Sequence, residues 1–122
     1  VTTIVVTRRD PASVVIERPT LVVRESGIWV SQAELAALPV TGPAWDLVAE
    51  YALDDWGEPA LDDQNSNHDV HTLAGALYAA RLDDPDMRAR VIDALTSVEG
   101  SSSDEILALA RNLLSYVIAA DV

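Results

Sequence analysis

Ile106-Leu107-Ala108-Leu109-Ala110-Arg111-Asn112-Leu113-Leu114-Ser115-Tyr116-Val117-Ile118-Ala119-Ala120 says most about the architecture of this chain. Ser103 or Asp104 is placed to cap it, after a loop at Gly100 to Ser103, so it reads as a helix over 104–120. Its apolar residues fall on more than one side. Helices of this kind are buried on several faces, and a chain of 122 residues leaves few elements to cover one. The expectation is the beginning of something larger, or half of an oligomer.

Working back from that helix, the same periodicity recurs. Met87, Val91, Ile92 and Leu95 mark a helix over 85–98, opened by Asp83-Asp84-Pro85, which also closes the one before it. That earlier helix, 67–81, carries Val70, Leu73, Ala74, Leu77 and Tyr78 and is capped by Asn67 or Ser66. Trp45, Val48, Ala49 and Ala52 line another over 43–53, with Thr41 as its cap and Pro43 in its first turn. Ser31 and Glu34 form a capping box for a short helix that Pro39 ends. Between the second and third helices, Asp54 to Asn65 is polar, holds Gly57 and Pro59, and reads as a loop.

Residues 2–24 read differently. Thr3-Ile4-Val5-Val6 and Ser13-Val14-Val15-Ile16 are β-branched runs separated by Arg9-Asp10-Pro11, which is turn chemistry, and Leu21-Val22-Val23 is a third. An isolated hairpin is marginal in water, so this arm is expected to pack on the helices or on a partner. It carries Arg8, Arg9, Arg18 and Arg24, whereas residues 45–70 hold acidic side chains and no Lys or Arg. Docking near that acidic stretch is therefore expected.

Composition narrows the function classes. The chain is 49% hydrophobic without Phe, and its Ala, Val and Leu suit close helix packing. Eight Arg against twenty acidic residues give a formal charge of −12. Such a surface repels a phosphate backbone, which argues against nucleic acid, and repels anionic membranes and polyanions unless a local patch reverses the field. No run approaches the roughly 18 apolar residues of a membrane span, and neither a signal peptide nor a cysteine framework is visible.

One loop could carry chemistry. Asp62-Asp63-Gln64-Asn65-Ser66-Asn67-His68-Asp69-Val70-His71 is dense in hydrogen-bonding side chains and runs into a helix N-terminus, where free N–H groups attract anions. His68 and His71, three apart, are expected to share a helix face. Three readings stand open: a plain helix cap with locally satisfied histidines, a saccharide-binding or catalytic loop, and a metal site. For the last, Asp63-x-Asn65-x-Asn67 imitates a calcium loop, but His68 and Ala74 stand where Gly and Glu belong. Trp56, in the acidic loop, is the best exposed aromatic for stacking on a sugar, whereas Trp45 reads as core. Arg111, Asn112 and Tyr116 need partners on a buried helix and read as packing contacts. Arg81, Arg88 and Arg90 read as solvated helix ends and faces. No Gly-rich phosphate loop, nucleophile elbow or Cys/His cluster is present.

A resemblance covers residues 27–122. Gly27-Ile28-Trp29-Val30-Ser31, Leu38-Pro39, Gly42-Pro43-Ala44-Trp45, Asp63-Gln64-Asn65-Ser66-Asn67-His68-Asp69-Val70-His71-Thr72-Leu73-Ala74 and Leu109-Ala110-Arg111-Asn112-Leu113 to Asp121 resemble the opening of alginate-lyase-like proteins of the (α/α) toroid class. The resemblance implies β-elimination on a uronic-acid polysaccharide, a secreted or periplasmic setting, and no cofactor or metal. An Asn, His or Arg would neutralise the uronate carboxylate and a Tyr or His would abstract the adjacent proton. It puts Asn67 and His68 in the catalytic role and Gln64, Asn65 and His71 in substrate binding, where Trp56 joins them as the exposed aromatic of the acidic loop. The resulting expectation is a mainly α fold of antiparallel helix pairs, as in an incomplete (α/α) toroid. A β-rich arm over 1–26 would precede a helical domain over 27–122. The chain would be the N-terminal, singly inactive portion of a lyase acting on an anionic polysaccharide, its last helix covered by further helices or by an oligomer. The alternative is a non-catalytic helical module for carbohydrate binding or protein assembly.

Overall fold

The computed structural model describes residues 6–10, 13–16 and 27–122, the first two segments by their backbone alone. It is mainly helical, with α1 Gln32–Ala37, α2 Pro43–Leu53, α3 His68–Leu82, α4 Pro85–Val98 and α5 Ile106–Asp121. Two short strands, β1 Val6–Asp10 and β2 Ser13–Ile16, pair antiparallel with Thr7 opposite Val15. The first strand runs on through Arg9 and Asp10, which the sequence reading gives to the turn. The third run, Leu21 to Val23, and the docking of an arm lie outside the described residues.

Each helix begins and ends for a local reason. Ser31 Oγ accepts from the Glu34 backbone N–H while Glu34 accepts from the Ser31 backbone, which completes the capping box. Those Ser31 hydrogen bonds hold the Glu34 carboxyl below its usual range. Asp84 accepts from the N–H groups of Asp86 and Met87 ahead of Pro85, and Asp83 takes the left-handed conformation that ends α3. Two caps differ from the sequence reading. The N-cap of α2 is Gly42 at φ 93 rather than Thr41, and that of α5 is Glu105, whose N–H is held by the Ser103 hydroxyl. Asn67 is the N-cap of α3 by position, but its side chain makes no capping bond; the Ser66 hydroxyl accepts from His68 N–H at 3.4 Å.

Helix α3 is central, packing against α2, α4 and α5, while α4 and α5 touch each other little. The core is built from small residues, Ala52, Ala74, Ala76, Ala79, Ala94 and Ala119, with Trp56, Met87 and Val91 filling between them. Close approach is the consequence. At Gly75 a Cβ would lie 2.6 Å from the Trp56 ring and 3.1 Å from Val91 Cγ2, so only glycine lets α3 pass beneath the indole. Trp45, expected in the core, is only half-buried and lies outside the core cluster, stacking on Tyr78 between α2 and α3 at 5.8 Å. The outer side of α5 is bare: Ile106, Leu107, Leu113, Leu114 and Val117 are all exposed. No helix among the described residues is long and apolar enough to cross a membrane.

Candidate functional site

The loop between α2 and α3 is a pair of successive turns. Asp63 N–H donates to the Ala60 carbonyl and Ser66 N–H to the Asp63 carbonyl, with Asp63 Oδ1 accepting from Asn65 N–H at 2.8 Å. This packing divides the polar residues into two groups. Gln64 and Asn65 are exposed and line an open hollow of about 420 Å³ against the start of α5, walled by Asp62, Asp63, Asp104 and Glu105. Asn67 is also exposed. His68, by contrast, turns inward.

His68 is 5% exposed, and its Nδ1 lies 2.7 Å from the Tyr116 hydroxyl of α5, itself 4% exposed. The Trp56 ring meets the imidazole edge-on at 6.3 Å. Burial pushes the imidazole below its ordinary value, with the Asp69 charge opposing and His71, Glu58 and Arg90 adding smaller effects. Burial, and then the Asp69 charge, pushes the Tyr116 phenol up to about 12. Asp69 is almost fully buried in the first turn of α3, and its Oδ1 finds no hydrogen-bond partner among the described residues. The Thr72 hydroxyl, one turn on, donates back to the His68 carbonyl.

Several expectations are corrected here. His68 and His71 do not act on one face: His71 is half-buried, its Nδ1 lies 2.7 Å from the Tyr51 carbonyl, and its ring packs on Tyr51 of α2. Trp56 is not an exposed platform. It is 7% exposed, donates from Nε1 to the Ala52 carbonyl, and is covered by the Arg90 guanidinium at 4.0 Å. Arg90 is not merely solvated either, because it also donates to the carbonyls of Ala52 and Asp54 and so caps the end of α2. Arg81 donates to the Leu38 carbonyl and holds the end of α1. The structure therefore brings together Gln64 and Asn65 at the hollow and His68 with Tyr116 and the Trp56 edge inside, while His71 faces Tyr51.

Tyr116 and Asn112 are the residues that sequence reasoning assigned to packing alone. Asn112 is 2% exposed, and its amide nitrogen donates into the loop, to Asp63 at 3.0 Å and Ala60 at 3.3 Å. The available signal was their spacing: four apart, Asn112 and Tyr116 share a face of α5, and polar groups on a buried face need partners. Among the described residues no three His, Asp or Glu side chains group to hold a metal ion. No protein-family model matches the chain, and neither a curated protein nor a solved structure matches it.

Proposed function

We propose that this chain is the N-terminal helical portion of a polysaccharide lyase of the (α/α) toroid class, acting by β-elimination on a uronic-acid polymer such as alginate. The observation that carries the reading is the 2.7 Å contact between His68 Nδ1 and Tyr116 Oη. It joins two separate segments of the resemblance through the two side-chain types that the reaction needs.

Elimination removes the proton α to the uronate carboxylate and expels the sugar oxygen β to it. The C–H electrons become the new double bond, and the C–O pair leaves with the oxygen. A base must take the proton and an acid must cap the leaving oxygen. His68, with its pKa lowered, is neutral near pH 7, and Tyr116, raised to about 12, keeps its proton to give. With the imidazole proton on Nδ1, the ring donates to the phenol oxygen. Nε2 then keeps a lone pair for the substrate proton, and the phenol proton is free for the leaving oxygen. Both groups lie side by side, which suits departure of proton and oxygen from one face of the sugar. Asn67 at the start of α3 is placed for the carboxylate, helped by the free N–H groups there and by Arg111, whose guanidinium lies on the Ser66 carbonyl. Gln64 and Asn65 are exposed amides suited to sugar hydroxyls. Support for the toroid comes from the bare side of α5, which further helix pairs would cover.

Calorimetric titration tests the reading. The chain should bind alginate oligomers and ignore neutral oligosaccharides of equal length, and His68→Ala and Tyr116→Phe should each weaken binding. Turnover of the polymer is not expected from residues 1–122 alone, because the resemblance puts much of the catalytic set further along. Absence of uronate binding overturns the proposal. One observation favours a second reading, the non-catalytic carbohydrate-binding or assembly module: His68 and Tyr116 are both closed to solvent. In that case uronate binding survives Tyr116→Phe in a folded variant.

A further inference from the structure

The loop from Ala60 to Ser66 has no strand or helix of its own, and its two turns expose amide side chains on one side while turning carbonyls inward. Those carbonyls meet a single amide. Asn112 Nδ2 lies 3.0 Å from the Asp63 carbonyl, 3.3 Å from Ala60 and 3.5 Å from Leu61. The Asp63 and Ala60 carbonyls are the acceptors of the two turns, so one side chain ties both together.

The orientation of that amide is fixed by its neighbour. Arg111 Nη1 donates to Asn112 Oδ1 at 3.1 Å and to the Ser66 carbonyl at 3.0 Å. The reversed amide would set its oxygen against three carbonyls and its nitrogen against a guanidinium, so the assignment follows from the chemistry. One turn further along the same face, Tyr116 holds His68. A single face of α5 thus fixes the loop by Asn112 and the imidazole beyond it by Tyr116.

We propose that Asn112 is a positioning residue, whose amide orders the loop Ala60 to Ser66 and so sets where Gln64, Asn65 and Asn67 stand relative to His68. That this loop meets a uronate rests on the lyase reading above; that Asn112 orders it does not. The residue type is specific. Asn112→Asp keeps the shape and the bond from Arg111, but it replaces the donor facing three carbonyls with an acceptor.

The test combines amide hydrogen exchange with titration by an alginate oligomer, both on the whole chain. In Asn112→Asp the amides of Asp63, Asn65 and Ser66 should exchange about tenfold faster, the effect of losing one buried hydrogen bond. Mid-helix amides of α3 should not follow them, and oligomer affinity should fall by about the same factor. Arg111→Gln, which removes the hold on Ser66, should loosen Ser66 first, and it decides the matter if Asn112→Asp does not fold. Unchanged loop exchange, or a rise shared equally by α3 as in plain loss of global stability, overturns the proposal. A loosened loop in a chain whose unaltered form ignores the oligomer overturns the lyase reading and leaves Asn112 as the loop's anchor.

Discussion

At the scale of single residues, the centre of the molecule is a pair of side chains whose ordinary acid strengths are pushed apart. Tyr116→Phe removes the hydroxyl and leaves His68 Nδ1 buried without a partner. Urea denaturation should show a loss of about 1–3 kcal/mol, the cost of an unsatisfied buried polar group. The pH dependence follows from the lowered value at His68. The folded chain then binds fewer protons than the unfolded chain below the ordinary imidazole value of 6.5, so stability rises with pH there. His68's contribution should be fully present above that value and lost as pH falls through the lowered one, and His68→Gln should flatten that part of the stability profile. Asn67→Ala should be nearly neutral by the same denaturation measurement, because its side chain makes no capping bond. A loss near 1 kcal/mol, the usual cost of a removed cap, would contradict this. The polar loop was legible as a dense run of hydrogen-bonding residues, but its division was not. Whether an imidazole faces inward depends on the Tyr116 hydroxyl, 48 residues away, and no local pattern encodes that distance.

At the scale of elements, the helices were readable nearly to the residue because their ends carry strong local chemistry. Pro43 and Pro85 open helices, Ser31 with Glu34 forms a box, and Asp83-Asp84 closes one helix and caps the next. Thr41 misled because Gly42, free to adopt φ 93, takes the N-cap position itself. Trp56 misled for a different reason. It follows directly on α2 in an acidic stretch, yet the indole folds back to the Ala52 carbonyl and over Gly75. The packing gives a prediction whose sign is diagnostic. Alanine favours a free helix over glycine by about 1 kcal/mol, but Gly75→Ala would press a methyl into the Trp56 ring. The ring cannot easily yield, since Ala52 and Arg90 hold it. Thermal or urea unfolding should therefore show a loss of about 1–3 kcal/mol, the range for overpacking; a gain would mean that α3 and Trp56 are not in this contact.

At the scale of the molecule, charge and apolar surface are segregated. In a chain of formal charge −12, the charged residues of α5 are Arg111 and Asp121, and Ile106, Leu107, Leu113, Leu114 and Val117 stand exposed on it. Exposed apolar patches of that kind are where interaction sites and grooves are found, and the breadth of this one was visible beforehand in apolar residues on more than one side of the helix. Composition says that polyanions are repelled in general, so the proposed lyase reading requires a local site for a uronate polymer. On that proposal the site is the start of α3, where the helix N-terminus and the Arg111 guanidinium must outweigh Asp69 in the first turn and Asp62 and Asp63 in the loop before it. The most direct measurement is the His68 ring resonance, followed by NMR while an alginate oligomer is added at constant salt and pH. The account predicts a saturable shift at His68, shared by Gln64, Asn65 and Asn67 and absent with a neutral oligosaccharide. No shift at His68, or the same shift with the neutral sugar, would contradict it.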